Sequence, residues 1–491
     1  VITIGIDAGT SVVKSVAYAA DGTELAVARR PTRVEHPRPG WAEQDMHEVW
    51  DAVADTVAEL TAETGSEVAA LALTAQGDGC WLVDDDGRPT GPALLWNDAR
   101  ASAIAADWAA SGVLAELFQV NGSVGFGGLP HAQLRWLAEH EPERTARSAT
   151  VLTCGGWLFH CLTGRLAWDV SEASNPFLDA RTGEYSPTVL TELGLDWARR
   201  LLPEVVDGQQ RIAPLRETAA ARLGVPAGTP VVLGAYDVVS TAIGAGVTEP
   251  GQACTILGTT ICTEVISDSP RLERTPVGMS LRTPEPGRWM LASATLSGTE
   301  VVEWACRVLG LPNPEDLTDL AEQAEPGSGG LLVLPYLSLA GERAPFYDPS
   351  ARGSLHGLSL EHGPAEIARA VLEGLAMTIR DCLRASTAQP TELRLTGGGS
   401  ANRLWRQVIA DVTGLPVVRT TDEQAGARGA AVTAQALLTG RSTTEVAREL
   451  VGTEEPLHPV DANRATYDDA YARFLAAREA AQAAGWYQRS R

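Results

Sequence analysis

The stretch VITIGIDAGTSVVKSVAYAADGTELAV (Val1–Val27) decides how the chain is read. An apolar run from Val1 to Ile6 delivers an acid, Asp7. Gly9, Thr10 and Ser11 follow, and a second apolar run leads away. The patterning predicts strands over 2–7, 12–19 and 24–29, with Asp21–Thr23 as a tight hairpin turn. The first tip has two readings. Asp, Gly, Thr and Ser are ordinary hairpin-turn residues. They also suit a phosphate-binding turn, because glycine admits close approach and the N–H and hydroxyl groups can meet phosphate oxygens. Lys14 is the only lysine in 491 residues. It reads either as a cation for those phosphates or as a strand residue facing solvent.

Strand and helix signals alternate outward from this segment, the pattern of an α/β protein. DMHEVWDAVADTVAELTAET (Asp45–Thr64) has apolar residues at helical spacing. EVAALALTAQGDGCWLVDDDGRP (Glu67–Pro89) reads as a buried strand, a glycine-rich break, a further strand and a turn at Asp86-Gly87. From 101 to about 228 the chain is mainly helical. PVVLGAYDVVSTAIGAGV (Pro230–Val247) is strand, acid, then a small-residue helix, and GQACTILGTTICTEVIS (Gly251–Ser267) is strand, Gly-Thr turn, strand. Gly258-Thr259 thus repeats the pattern of Gly9-Thr10 and predicts two similar lobes, 1–245 and 246–491. A helix near 362–386 leads to LRLTGGGSANRLWRQVIADVTGLPV (Leu393–Val417): strand, three glycines, helix, strand. Thr466–Gly485 reads as a terminal amphipathic helix. The Pro/Gly-rich parts at 268–288 and 324–330 read as surface loops.

Composition narrows the function. A formal charge of −23 opposes nucleic acid and anionic membranes, both of which call for a basic face. A nucleotide would need local neutralisation by a divalent cation, backbone N–H groups and helix N-termini. The chain opens into a strand with no basic flank, which argues against a signal peptide. No apolar stretch is long enough to span a bilayer. Seven cysteines without a CxxC pair fit free thiols in a reducing cytoplasm and give no zinc pattern. Two Gly-Thr turns paired across a cleft could hold a polyphosphate from both sides, and TGGGSAN (Thr396–Asn402) supplies a third phosphate- or ribose-compatible turn.

With these motifs in place, the whole chain resembles the FGGY family of carbohydrate kinases, which share the two-lobed actin/hexokinase-like ATPase fold with ribonuclease H-like lobes and an interlobe cleft. GIDAGTSVVKS is similar to the family's first phosphate turn. GGLPHAQLRWLAEH (Gly127–His140) is similar to its first signature, with Gln133 where lysine is usual. GSLHGLSLEHGPAEIARAVLE (Gly353–Glu373) is similar to the second, and GERAPFYDPSARG and LTGGGSANRLW resemble further blocks. The resemblance implies ATP and Mg²⁺ as cofactors. It implies Asp7 organising the metal through water, together with Asp237, and Gly9, Thr10, Ser11 and Lys14 facing the β- and γ-phosphates. Gly258 and Thr259 would form the second phosphate turn, and Gly397, Gly398 and Asn402 the adenosine side. Asp237 matches the general base, which must accept the proton of a weakly nucleophilic hydroxyl. Read from residues alone, Asp237 is an N-cap of the helix after it.

TAQGDGCW (Thr74–Trp81) lies where the family recognises its polyol, making Gln76, Gly77 and Asp78 the candidate substrate residues. Gly77-Asp78 departs from the Arg-Glu of glycerol kinases and the Met-His of common D-xylulose kinases. GIDAGTSVVKS and QGDGCWLV look most like erythritol kinases; PGWAEQDMHEVW, LRWLAEHEPER and YDVVSTA look more like L-xylulose kinases. The expectation is a kinase for a sugar or polyol of four or five carbons. D-xylulose, L-ribulose or glycerol kinases and a non-catalytic sugar-binding regulator are the alternatives. Trp81, Trp96 and Phe126 read as core aromatics or as platforms for the sugar's C–H faces. By analogy with the family, a homodimer is the assembly to test.

Overall fold

A computed structural model describes residues 1–273, 275–339, 341–348, 350–386 and 388–484. The chain forms two compact units. The first comprises 1–248, 268–290 and 424–452; the second comprises 249–267, 291–423 and 453–491.

The meander Ile2–Ala8, Val12–Ala19, Glu24–Pro31 forms as the alternation predicts. It makes one half of a six-stranded sheet, completed beside Ile2–Ala8 by Val68–Ala75, Pro230–Leu233 and Ile212–Pro214. Ile2–Ala8 pairs antiparallel with Val12–Ala19 and parallel with Val68–Ala75, so Asp7 lies level with Lys14 on one side and Thr74 on the other. Every later step depends on this register. The helix Met46–Thr64 starts where Asp45 accepts from the N–H of His47 at 2.7 Å, and it stops at Gly65 in the left-handed region, φ 56°.

The helix Ala425–Thr439, distant in sequence, also packs on this sheet. It comes so close at Gly5 that a Cβ there would lie 2.3 Å from the carbonyl oxygen of Ala427. The same helix meets Asp237–Gly244 backbone to backbone: a Cβ on Gly429 would stand 1.7 Å from the oxygen of Ser240. Small residues on both helices permit that approach, and it fixes where Asp237 begins its helix.

In the second unit the central strands run Ile261–Ser267, Gln252–Leu257, Glu392–Thr396, Val417–Arg419. The first two form the second hairpin, and Gln252–Leu257 pairs parallel with Glu392–Thr396. A second core, with Trp405, Tyr336, Tyr467 and Phe474 fully buried, lies under the helices Pro364–Ala385, Arg403–Thr413 and Arg464–Ala483. The acid buried there is answered on both oxygens. Glu373 accepts from Gly327 N at 2.9 Å, Ser328 Oγ at 2.8 Å, Tyr467 Oη at 2.8 Å and Arg369 Nε at 3.1 Å.

Two sequence expectations need adjustment. Residues 268–288 are not loop throughout: Met279–Arg282 is a strand with Leu281 fully buried, and Ser280 N donates to Gly122 O at 2.8 Å. The bond to Gly122 spans more than a hundred residues, and the local Pro/Gly punctuation does not announce it. The segment 324–330 ends in a short 3₁₀ turn, Ser328–Gly330. Gly485, expected as the last residue of the terminal helix, lies outside the described residues. All seven cysteines are buried and unpaired. Among the described residues no helix is long and apolar enough to cross a membrane.

Candidate active site

In the first unit the strand ends Asp7 and Thr74–Gln76 and the helix start at Asp237 bring the predicted acids together. Asp7 and Asp237 are both half-buried. A Cβ on Gly426 would fall 2.5 Å from Asp7 Oδ2, so the start of the helix Ala425–Thr439 is packed directly on this carboxylate. Burial raises the pKa of Asp7 against the opposing charge of Lys14. Asp237 is pushed up to about 8, by burial first and then by the charge of Asp7; the N–H of Val238 pulls the other way and Asp78 adds a little more. The N-cap position belongs to Tyr236. Asp237 is the first helical residue, with Oδ1 accepting from Val238 N at 2.7 Å. A carboxyl tuned towards neutrality suits proton transfer. Among the described residues no three His, Cys, Asp or Glu side chains gather as a metal cage. Magnesium in phosphoryl transfer, however, is held by one or two carboxylates plus phosphate oxygens, and Asp7 and Asp237 offer two carboxylates.

The first turn is closed by Gly9 N donating to Val12 O at 3.1 Å. Thr10 is held by side chains from four directions. Its hydroxyl donates to Gln76 Oε1 at 2.7 Å and accepts from Trp96 Nε1 at 3.0 Å. Its carbonyl oxygen accepts from Gln44 Nε2 and from Thr32 Oγ1, both at 2.8 Å. Gln76 Nε2 in turn donates to Gln44 Oε1 at 2.7 Å. Gln76, expected to face substrate, therefore has both ends of its amide engaged in the turn. Ser11 is exposed and Lys14 half-buried.

Asp78 is buried and takes positive φ, 56°. Oδ1 accepts from Asn175 Nδ2 at 2.9 Å and Oδ2 from Tyr236 Oη at 2.8 Å. Gly77 is obligatory in this arrangement: a Cβ would lie 1.9 Å from the Tyr236 ring. Glu172, buried close by, is driven well above the ordinary carboxyl range by burial and then by the charges of Asp169, Asp78 and Asp237. Trp81 is core, whereas Trp96 and Phe126 are half-buried.

In the second unit the turn at Gly258 has Gly258 N donating to Thr260 O at 3.2 Å and Gly258 O accepting from Thr299 N at 2.9 Å. Thr259 is exposed. Gly397 takes φ 83° at the strand end, and a Cβ there would lie 2.8 Å from Leu257 O, so the two turns are adjacent. A cavity of about 610 Å³ opens here, lined by Gly258, Gly398, Asn402, Leu257, Val302 and Pro314 among others. Asn402 caps the helix Arg403–Thr413 by accepting from Trp405 N at 3.0 Å and donates to Thr318 Oγ1 at 2.6 Å.

Gln44, Asn175, Tyr236 and Glu172 were not singled out from the sequence. Each meets its partners across intervals of tens to more than a hundred residues, for which periodicity carries no signal. The one local hint was Tyr236, next to Asp237.

Residues 2–244 match the family described as the FGGY family of carbohydrate kinases, N-terminal domain, and residues 253–438 match its C-terminal domain. The chain is 36% identical over 452 residues to an erythritol kinase of Brucella abortus, covering 88% of this chain and 86% of the relative. It is 31% identical to an L-xylulose/3-keto-L-gulonate kinase of Escherichia coli, covering 88% and 87%. Among solved structures, a ligand-bound xylulose kinase from Lactobacillus acidophilus superposes with a TM-score of 0.93 at 25% identity over 99% of this chain and 100% of that one. A second, described as a xyloylose kinase from Brucella ovis, gives 0.90 at 29% over 98% and 100%.

Proposed function

Because the chain belongs to the FGGY family of carbohydrate kinases, we propose that it moves the γ-phosphoryl group of ATP to a terminal hydroxyl of an erythritol- or L-xylulose-like substrate of four or five carbons. The protein is a sugar kinase of the actin/hexokinase-like ATPase fold, with a sheet-bearing lobe in each half. One observation carries the catalytic reading: Asp237, at a helix start beside Asp7, has its pKa raised to about 8. It takes the proton of the attacking hydroxyl as the phosphoryl group arrives. Bound Mg²⁺, for which Asp7 and Asp237 are the proposed ligands, supplies neutralising charge to the phosphates.

The remaining roles are those the family resemblance implies, each kept within one unit. Gly9, Thr10, Ser11 and Lys14 form the first phosphate turn, and Gly258 with Thr259 the second. Gly398 and Asn402, on the wall of the 610 Å³ cavity, serve adenosine together with the neighbouring Gly397. Gly77 and Asp78 form the sugar's recognition block, with Gln76 behind them. Sugar handling and the base fall in 1–245, adenosine binding in 246–491. The erythritol and L-xylulose kinase relatives support the size of substrate, and the buried thiols support a reducing cytoplasm. A homodimer is the proposed assembly, to be read by sedimentation.

ADP release with Mg·ATP is the test, measured against erythritol, L-xylulose, D-xylulose, xylitol, L-ribulose and glycerol, with a no-sugar control. Stimulation by erythritol or L-xylulose above the others is expected. Preference for D-xylulose, L-ribulose or glycerol replaces the substrate assignment. Sugar-independent release, or none with any sugar, removes the catalytic reading.

A further inference from the structure

The three side chains at the first turn close a ring whose hydrogen-bond direction is forced. A backbone carbonyl can only accept, so Gln44 must turn its NH₂ to Thr10 O, at 2.8 Å. Its Oε1 then faces Gln76 and must receive that residue's NH₂, at 2.7 Å. Gln76 Oε1 is thereby left to receive the Thr10 hydroxyl proton, at 2.7 Å. Flipping Gln44 sets oxygen against oxygen at Thr10 O, and flipping Gln76 does the same at Gln44 Oε1. The ring has one polarity, and Gln44, which is fully buried, is the residue that sets it.

The consequence reaches the ligand side. The Thr10 hydroxyl has spent its proton on Gln76 and one lone pair on Trp96, whose Nε1 stands 3.0 Å away. What the Thr10 hydroxyl has left is an acceptor lone pair, which leaves phosphate oxygens, themselves acceptors, to the N–H groups of the turn. Gln76, meanwhile, is the residue from which Gly77 and Asp78 continue, so the ring ties the phosphate turn to the sugar-recognition block within one unit.

We propose that Gln44 is a positioning residue of the kinase: through the Thr10–Gln76–Gln44 ring it fixes the phosphate turn and the sugar-binding strand end together, and it keeps the Thr10 hydroxyl proton within the ring, so that the turn meets phosphate through its N–H groups. The inference rests on the kinase reading above for its substrates, though not for its geometry. Gln44 touches neither substrate; it acts on the groups that do.

Three substitutions separate polarity from packing. Histidine at 44 retains one donor and one acceptor, methionine retains the volume and neither, and glutamate retains the acceptor but replaces the donor with a second acceptor. The readouts are the Mg·ATP dissociation constant by calorimetry, the KM values for both substrates, and Tm. The expected order of binding is wild type, then Gln44→His, then Gln44→Met, then Gln44→Glu. The methionine variant should lose about tenfold in both substrates, the range expected when buried polar groups lose their partner. A packing role predicts the reverse for the neutral pair, since methionine fills a buried site better than histidine. A methionine variant that binds as well as or better than the histidine variant overturns the proposal, as does one whose Tm falls while both constants stay put. If Gln44→Glu does not fold, the order of the other two decides. If the wild type phosphorylates no sugar of the panel, the kinase reading fails by itself, and the calorimetric order still judges the ring.

Discussion

The turns at Gly9 and Gly258 share one backbone plan. In each, a hairpin strand pairs antiparallel with its successor and parallel with a strand far along the chain. In each, the glycine N–H closes the tip onto a nearby carbonyl, Val12 O at 3.1 Å or Thr260 O at 3.2 Å. They differ in what surrounds that plan. The first follows an acid, and four side chains hold its threonine. The second follows Leu257, leaves Thr259 exposed, and is braced by backbone: a Cβ on Gly298 would lie 2.6 Å from the carbonyl carbon of Thr260. One tip is armed with titrating chemistry, and the other is a plain cradle. A repeated fold therefore need not repeat a role, because the backbone sets where a ligand can approach and the side chains set what happens there.

The contrast breaks most sharply at Asp237. Asp237→Asn should lower turnover by about 10³-fold, in the range for loss of a general base. Full turnover in the variant takes Asp237 out of the chemistry. The pH dependence comes next. A base must be unprotonated to act, so kcat/KM for the sugar should rise with pH through a limb at or below about 8, the value to which Asp237 is pushed. A profile flat from pH 5.5 to 8.5 contradicts this.

Two glycine substitutions then sharpen the division of labour. Gly77→Ala drives a methyl to 1.9 Å from the Tyr236 ring and dislodges the hydrogen bond to Asp78; sugar KM should rise about tenfold and the overpacking should cost about 1–3 kcal/mol. Gly298→Ala pushes a methyl into the second turn and should raise KM for ATP by a similar factor with sugar KM unchanged. Should both variants affect both substrates equally, the contrast between the tips is lost.

A smaller effect concerns stability. Asp237 titrates in the folded chain at about 8 against an ordinary value of 3.8. The folded state resists a charge that the unfolded chain carries freely, so stability from this group is intact below about pH 4 and is lost as pH climbs towards 8. The Tm advantage of Asp237→Asn over wild type should accordingly be larger at pH 8 than at pH 5, and an advantage independent of pH counts against the raised value. Least of all, Asn402→Ala removes a helix cap and should cost about 1 kcal/mol, with KM for ATP up a few-fold and sugar KM unmoved.

The meander, the helix after Asp45, both Gly-Thr hairpins and the α/β class were legible because each is written in a local period or a turn signal. Asp7, Asp237 and the Gly397-Gly398 turn were legible for the same reason: they terminate apolar runs. What stayed hidden is non-local. Nothing near Gln44 announces that Thr10 and Gln76 will lie against it. The helix Ala425–Thr439 gives no sign in its sequence that it packs on strands from the opposite end of the chain. Met279–Arg282 read as loop because Pro and Gly punctuate the segment around it, and its bond to Gly122 is non-local. Thr10 and Gln76 stood out as candidates from their position in motifs, but their hydrogen-bond polarity emerged only once the closed ring could be traced.

The solitary lysine has a practical corollary. Apart from the α-amino group, the chain offers a reagent for primary amines one place to attach, and that place lies level with Asp7. Labelling stoichiometry on Lys14 becomes a one-channel signal. A nucleotide that covers the first turn should slow the label, and a sugar that leaves the turn open should not. The occupancy of that turn can then be followed by peptide mapping, which separates Lys14 from the α-amino group, without an engineered probe.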